Sequence, residues 1–253
     1  NDALLNAYYN TKWQFNGCHG LLCDVGGGVN VNTVLIRGNA AAGFNGVMTG
    51  NFSGGTGYAS STGINLGSTV AVHNFGSFGI TTLYGGSIWA NAVTVTNNNN
   101  GNILADHGGS ISAQGAIATN SGSFGVATSY GGSIEVSTGV ARYNNTDGIT
   151  TIYGGSINAA NATASNNGGS GIVTNFGGSI SANFATASNN GSNGIRTNFG
   201  GSISVGSAAA TGNGGTDIIA NGAGIIKVNG GTTYGTISPA VNTVGNLNAA
   251  IST

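Results

Sequence analysis

From residue 80 onward the apolar positions of this 253-residue chain fall into three short alternating runs that return every 23 residues. The first is Gly-Ile-x-Thr, with its apolar position at Ile80, Ile103, Val126, Ile149, Ile172, Ile195 and Ile218. The second is Ser-Ile-x-Ala, at Ile88, Ile111, Ile134, Ile157, Ile180, Ile203 and Ile226. The third is a pair such as Val93/Val95, Ala162/Ala164, Ala185/Ala187 or Ala208/Ala210. Alternation with period two is a strand signature, and the Gly-Gly, Asn-Asn and Ser-Gly pairs between the runs are turn formers. Three strands and three turns in 23 residues predict one rung of a single-stranded parallel β-helix.

A single rung cannot bury its own inner face, so rungs must stack, about 4.8 Å apart. Ile180 is then expected above Ile157 and below Ile203. A decayed copy of the Gly-Gly-Ser-Ile unit ends at Ile226 and an early one at Val29, whereas the register of residues 30–70, which contain insertions, cannot be read from the sequence. The pattern divides the chain into an N-terminal cap or linker at 1–17, helical or irregular, a β-helix at 18–234, and a C-terminal extension or trimer contact at 235–253. Ends of this kind are needed because an open solenoid exposes strand edges.

Other columns run at the same interval. Asn97, Asn120, Asn166 and Asn189 share a turn position, where stacked amides would hydrogen-bond from rung to rung. Tyr84, His107, Tyr130, Tyr153, Phe176 and Phe199 precede each Gly-Gly, and alternation turns them inward as a stack filling one corner; an exposed sugar-binding platform is the alternative. Thr128, Thr151, Thr174 and Thr197 share the parity of the inward Ile and should line the core. That removes a threonine-array ice-binding reading, since the outward threonines are interrupted by Ile117, Val140 and Ala209. Thr81, Leu104, Ala127, Thr150, Val173, Arg196 and Ile219 fall outside by parity, as do Thr94, Ile117, Val140, Thr163, Thr186 and Ala209. Outer faces so apolar call for a partner, and a symmetric homotrimer is the expected one. A monomer whose faces need no cover is the alternative.

Composition narrows the classes. With 49 Gly but one Pro and no Gly-X-Y period, collagen is excluded, and 39% hydrophobic residues with a mean hydropathy of +0.11 argue against disorder. The net charge is −1, and Lys12, Arg37, Arg142, Arg196 and Lys227 form no basic patch, so no nucleic-acid partner is expected. No apolar run reaches membrane-spanning length, so no membrane insertion is expected. The start without Met or a secretory leader fits a fragment or a processed product. Cys18 and Cys23 read as two buried or half-buried residues, or as a local disulfide.

The acids are Asp2, Asp24, Asp106, Glu135, Asp147 and Asp217. Glycoside hydrolysis needs two carboxylates about 5–9.5 Å apart. Asp106 and Glu135 lie on neighbouring rungs but on different sides of the Gly-Gly corner, which gives no convincing pair. No calcium cluster with a Lys or Arg base is seen, and Gly-Gly-Thr-Asp at 214–217 is half of a calcium nonapeptide that occurs once. His19, His73 and His107 are scattered. No catalytic residue, metal site or cofactor is therefore expected. The binding candidates are Trp89, Asp106, Glu135, Asn158, Asn175 and Asn198, outward near the Gly-Gly corner, with Arg196, where the rungs differ. Trp89 suits stacking on a sugar or a contact between protomers.

Runs such as NATASNNGGSGIVTNFGGSISANFATASNNGSNGIRTNFGGSISV resemble the β-helical shafts of phage and prophage tail fibres and tailspikes. The closing NGAGIIKVNGGTTYGTISPAVNTVGNLNAA is similar to the way those shafts finish. The resemblance covers residues 18–250 or so. It implies a right-handed, pectate-lyase-like parallel β-helix, a parallel homotrimer, a place in the virion tail beside other tail components, and recognition of the host surface. Some members cleave polysaccharide with Asp/Glu pairs, and none of their catalytic residues carries over to this sequence. The expected function is a non-enzymatic receptor-binding protein for host cell-surface carbohydrate. The alternatives are a β-helical polysaccharide depolymerase, glycosidase or lyase, and an adhesin on a bacterial cell surface.

Overall fold

The computed structural model describes residues 4–7, 11–14, 16, 18–24, 28–31, 34–40, 43–50, 63–67, 69–83, 86–222, 225–229 and 231–239. The regular elements among them are all strands, arranged in parallel sheets that run the length of a solenoid. The Ser-Ile sheet stacks ten strands from Leu4–Ala7 to Ile225–Asn229. The Gly-Ile sheet stacks ten from Leu21–Asp24 to Ile237–Pro239. The third sheet stacks seven from Thr11–Gln14 to Thr163–Ser165. Single bridges Thr163–Thr186 and Thr186–Ala209 then carry it on toward Ala209–Ala210 and Thr233–Tyr234.

The register is the one the repeat dictates. Ile88 pairs with Ile111, Ile111 with Ile134, Ile157 with Ile180 and Ile180 with Ile203. Ile149, Ile172, Ile195 and Ile218 form the matching row of the Gly-Ile sheet. These rows and the small Val95, Ala118, Ala141 and Ala164 of the third sheet are buried in one continuous core. The described strands within 30–70 join in register although the step lengthens: Val29 pairs with Ile64, 35 residues on, and Ile64 with Ile88, 24 on. Within 1–17 the described segments Leu4–Ala7 and Thr11–Gln14 are strands paired to Gly28–Val31 and Val34–Arg37, not a helical or irregular cap. Cys18 is exposed and free, against the expectation of burial, and the Cys23 side chain lies outside the described residues.

From residue 86 to 222 each rung turns through left-handed backbone at three corners. Ala92, Thr138, Asn161, Phe184 and Ser207 hold one, Asn97, Asn120, Tyr143, Asn166 and Asn189 the second, and His107, Tyr130, Tyr153, Phe176 and Phe199 the third, with φ between +49° and +60°. Such φ values cost a non-glycine residue about 1–2 kcal/mol. The rung-to-rung backbone bonds offset this, as from Asn97 N to Thr119 O and from Tyr130 N to Ile152 O. The two glycines of each Gly-Gly have different reasons to be there. Gly177 takes φ +89°, whereas a Cβ on Gly178 would stand 2.9 Å from Gly155 O and 2.8 Å from Thr174 Cβ. Thr128, Thr151, Thr174 and Thr197 line the core as their parity required. Their hydroxyls have no hydrogen-bond partner among the described residues.

Three columns differ from the sequence expectation. The asparagine ladder is one residue later, at Asn98, Asn144, Asn167, Asn190 and Asn213. Asn97, Asn120, Asn166 and Asn189 themselves are exposed at the turn. The amides of Asn144, Asn167 and Asn190 each donate to the Oδ1 of the next rung's asparagine and to a carbonyl 26 residues back, as Asn167 does to Asn190 and to Ala141 O, both at 3.0 Å. The Asn167 Oδ1 accepts from the rung before, Asn144 N at 3.1 Å and Asn144 Nδ2 at 2.9 Å. The aromatic column does stack, with ring centroids 4.6–5.1 Å apart from His107 to Phe199, but on the outside of its corner. Positive φ swings these side chains away from the parity of the preceding strand, so that Phe199 is 65% exposed. Tyr84 lies outside the described residues. Finally, Thr81, Leu104, Ala127, Thr150 and Val173, on the outer side of the Gly-Ile sheet, are buried within the single chain. That stretch of apolar surface needs no second copy to cover it. Only Arg196 and Ile219 at its end are half-exposed.

Candidate functional site: a serine-lined groove

On the outer side of the Ser-Ile sheet the strands are Ser-Ile-x with both flanking side chains outward, because Ile takes the inward position. Stacking turns these flanks into two parallel columns. One is Ser87, Ser110, Ser133, Ser156, Ser179 and Ser202; the other is Trp89, Ser112, Glu135, Asn158, Ser181 and Ser204. Between them runs a groove of about 730 Å³, lined from Trp89 to Ser204. Those residues are five rung steps apart, about 24 Å.

Ser110 donates to Ser87 at 3.2 Å. The hydroxyls of Ser133, Ser156, Ser179, Ser202, Ser181 and Ser204 have no protein partner among the described residues and face solvent. Trp89, 49% exposed, closes one end. Its indole lies over Gly63, which stands where later rungs have serine, and a Cβ there would come within 3.1 Å of the ring. Glu135 is the only acid in the lining. It is held at both oxygens: Ser137 Oγ donates to Oε1 at 2.7 Å and Asn158 Nδ2 to Oε2 at 3.3 Å.

Of the residues singled out in the sequence, the groove brings together Trp89, Glu135 and Asn158. The others lie beyond the Gly-Gly corner. Asn175, Asn198 and Asn221 form a row, Asn221 donating to Asn198 at 3.0 Å and Asn198 to Asn175 at 2.7 Å. Turned over, the Asn198 amide accepts from Arg196 Nη2 at 2.9 Å and Nε at 3.1 Å, which requires its neighbours to turn as well. Asp106 stands three rungs from Asn175 and is tied to His107, accepting from its backbone N at 3.0 Å and lying 2.9 Å from Nδ1. The residues that sequence reasoning missed are the first serine column, Ser112, Ser181 and Ser204 of the second, and Gln114. The serines were hidden inside the most repeated motif, although the inward Ile beside each one already put them outside.

Elsewhere Asp217, His73 and Asp147 are set by burial and by protein contacts. Asp217 is buried, and its oxygens accept from Asn213 Nδ2 (2.6 Å), Thr236 N (2.8 Å) and Gly235 N (3.0 Å), so protein donors occupy the place a calcium ion would take. Burial, helped by the Arg37 charge, holds His73 below its ordinary value against a hydrogen bond with the Asn74 side chain, which raises it. Burial pushes the Asp147 carboxyl above the ordinary carboxylate value, against the Ser170 N–H and the Arg196 charge. Among the described residues no three His, Cys, Asp or Glu side chains gather to hold a metal.

Fold and groove define a pectate-lyase-like parallel β-helix with a polar, nearly uncharged trough along one sheet. No protein-family model and no curated protein matches the chain. Solved structures do. The A-module of a mannuronan C-5 epimerase from Azotobacter vinelandii superposes with a TM-score of 0.66 over 99% of this chain and 90% of its own, at 12% identity. A pectate lyase superposes at 0.60 over 98% of this chain and 71% of its own, at 15% identity. The enzymatically active domain of tailspike protein 2 of bacteriophage CBA120 aligns at 0.43 over 93% and 39%, at 12% identity, a score too low to carry weight. At such identities the likeness is one of fold.

Proposed function

We propose that this β-helix is a receptor-binding protein that recognises host cell-surface carbohydrate in the Ser-Ile groove without cleaving it. One observation carries the reading: the groove is an extended row of unpartnered hydroxyls with an exposed indole at one end and a single carboxylate. Hydroxyls and amides without dense charge match sugar hydroxyls, and an indole face matches the apolar face of a pyranose. A hydrolase would need a second carboxylate across the bond, and the lining offers none. Mannuronan and pectate, for which two fold neighbours are named, belong to the same broad class of ligand. The setting in a phage tail fibre or tailspike, with other tail components as partners, rests on the resemblance of the shaft sequence. A homotrimer would use the outer side of the third sheet, where Ile117 is 39% exposed and Val140, Thr163 and Thr186 are half-buried.

Glycan binding measured by calorimetry should weaken about tenfold or more in Trp89→Ala. A reducing-end assay on the bound polysaccharide should stay flat. Release of oligosaccharide that Glu135→Gln abolishes would sink the binding-only reading. Sedimentation of the whole chain in dilute solution tests the trimer, and a clean monomer removes it.

A further inference from the structure

We infer that the groove, taken as the sugar site just described, selects glycans that are neutral or bear an amine and rejects polyuronates, with Glu135 as the selecting group. Among the described residues no Lys, Arg or His lines the groove, so nothing beside Glu135 can neutralise a bound carboxylate. Lys227 continues the column of Glu135, but four rungs away through Asn158, Ser181 and Ser204. That is roughly 19 Å, well past the screening length of about 8–10 Å in physiological salt.

Glu135 is built to act on a ligand. One donor on each oxygen, Ser137 and Asn158, fixes the carboxylate, while its residual acceptor capacity stays accessible in the half-exposed groove. A uronate placed there would meet a like charge. An ammonium would gain a charge-assisted hydrogen bond, and a neutral hydroxyl an ordinary one. Trp89 stands two rungs from Glu135 in the same column, about 10 Å. One bound oligosaccharide can therefore touch both. The fold neighbours are named for polyuronates, so this chain would use the same scaffold for ligands of opposite charge preference.

The test compares three probes by calorimetry at mildly acidic pH and physiological salt: a β-1,4-glucosamine oligosaccharide, its N-acetylated counterpart and an oligogalacturonate. The wild type should bind the amine form about tenfold more tightly than the acetylated one, the gain of one charge-assisted bond. It should bind the uronate least. Glu135→Gln, which removes the charge, keeps one acceptor oxygen for Asn158 and can donate its amide to the Ser137 hydroxyl, should bring the amine and acetylated forms level. If Gln perturbs folding, Glu135→Ser, the residue at the equivalent positions 112 and 181, serves instead. Uronate binding equal to that of the neutral form overturns the selectivity and leaves the groove as a sugar site. An amine preference that survives Glu135→Gln overturns the role of Glu135. If none of the three binds, the groove reading falls and the selectivity with it.

Discussion

Two corners of each rung carry the most regular columns of the molecule, and they are held by opposite means. At the asparagine corner the ladder side chains of Asn98, Asn144, Asn167 and Asn190 are buried, and Asn167 is bonded to the rung before, to the rung after and to the backbone. At the aromatic corner the rings are half in solvent, and His107, Tyr130, Tyr153, Phe176 and Phe199 stack on one another. Because each ring face covers the next, the stack leaves only edges for a ligand, which argues against a sugar platform along it. Regular repetition therefore reports that like must stack on like. It reports neither burial nor function.

The comparison breaks most readily at the asparagine corner. Asn167→Ala strands the Asn144 N–H and amide and the Ala141 carbonyl in a buried turn. With unsatisfied buried groups costing about 1–3 kcal/mol each, and some of that recovered by relaxation, a loss of about 3 kcal/mol is expected. The shift of the urea midpoint measures it. A loss below 1 kcal/mol would mean that the amides are not what joins the rungs there.

A second effect, of about 2 kcal/mol as a coupling energy, concerns how the ladder survives its own gap. Ser121 stands where an asparagine is due, and Asn102 fills the space: it accepts from Asn98 at 2.9 Å and donates to Asn144 at 3.4 Å and to Thr119 O at 3.0 Å. Asn102 in turn stands where the other rungs have glycine. At Gly125, Gly148, Gly171 and Gly194 a Cβ would come within 2.7–2.8 Å of the next rung's ladder amide. Ser121→Asn alone should clash with Asn102, and Asn102→Gly alone should open the ladder. The double variant should regain nearly wild-type stability in a denaturation cycle. Additive losses would refute the exchange.

The aromatic corner should respond less. Phe176→Ala removes two stacked contacts at an exposed site, about 1–2 kcal/mol. Phe176→Asn should cost less than Ala by a few tenths, because asparagine tolerates the φ of +58° better. If Phe176→Ala proves costlier than Asn167→Ala in the same urea series, the ranking of the two corners is reversed.

The sequence made the fold legible because a period of 23 with alternating Ile fixes strand, parity and stacking together. It failed where left-handed corners break the parity. Counting twos across Phe176 pointed it inward, whereas its positive φ turns it out. The ladder register could have been read from the one covariation the chain contains. Beyond Asn98, where its column loses the asparagine, at Ser121 and Thr236, the glycine column of the preceding rung becomes Asn102 and Asp217. The site was half legible. Trp89, Glu135 and Asn158 stand out as departures from the repeat, but the serines they face are the repeat itself.

The smallest effect lies at the rim of the asparagine corner, where Asp147 caps Ser170 N through Oδ1 at 2.7 Å. Two rungs later Asn193 does the same for Thr216 N at 3.0 Å with no charge. Burial raises the Asp147 carboxyl above the ordinary carboxylate value in the folded chain. The folded state then binds a proton that the unfolded state has released, and stability falls as pH rises from the unfolded value through the raised one. Asp147→Asn keeps the acceptor and removes the buried charge. It should leave stability unchanged at pH values below the unfolded carboxylate and raise it slightly at neutral pH, by less than any loss predicted above. Urea midpoints at acid and neutral pH measure the difference. A variant less stable than wild type at neutral pH would show that the pairing with Arg196, not burial, governs this carboxylate, and the corner would then owe part of its hold to charge.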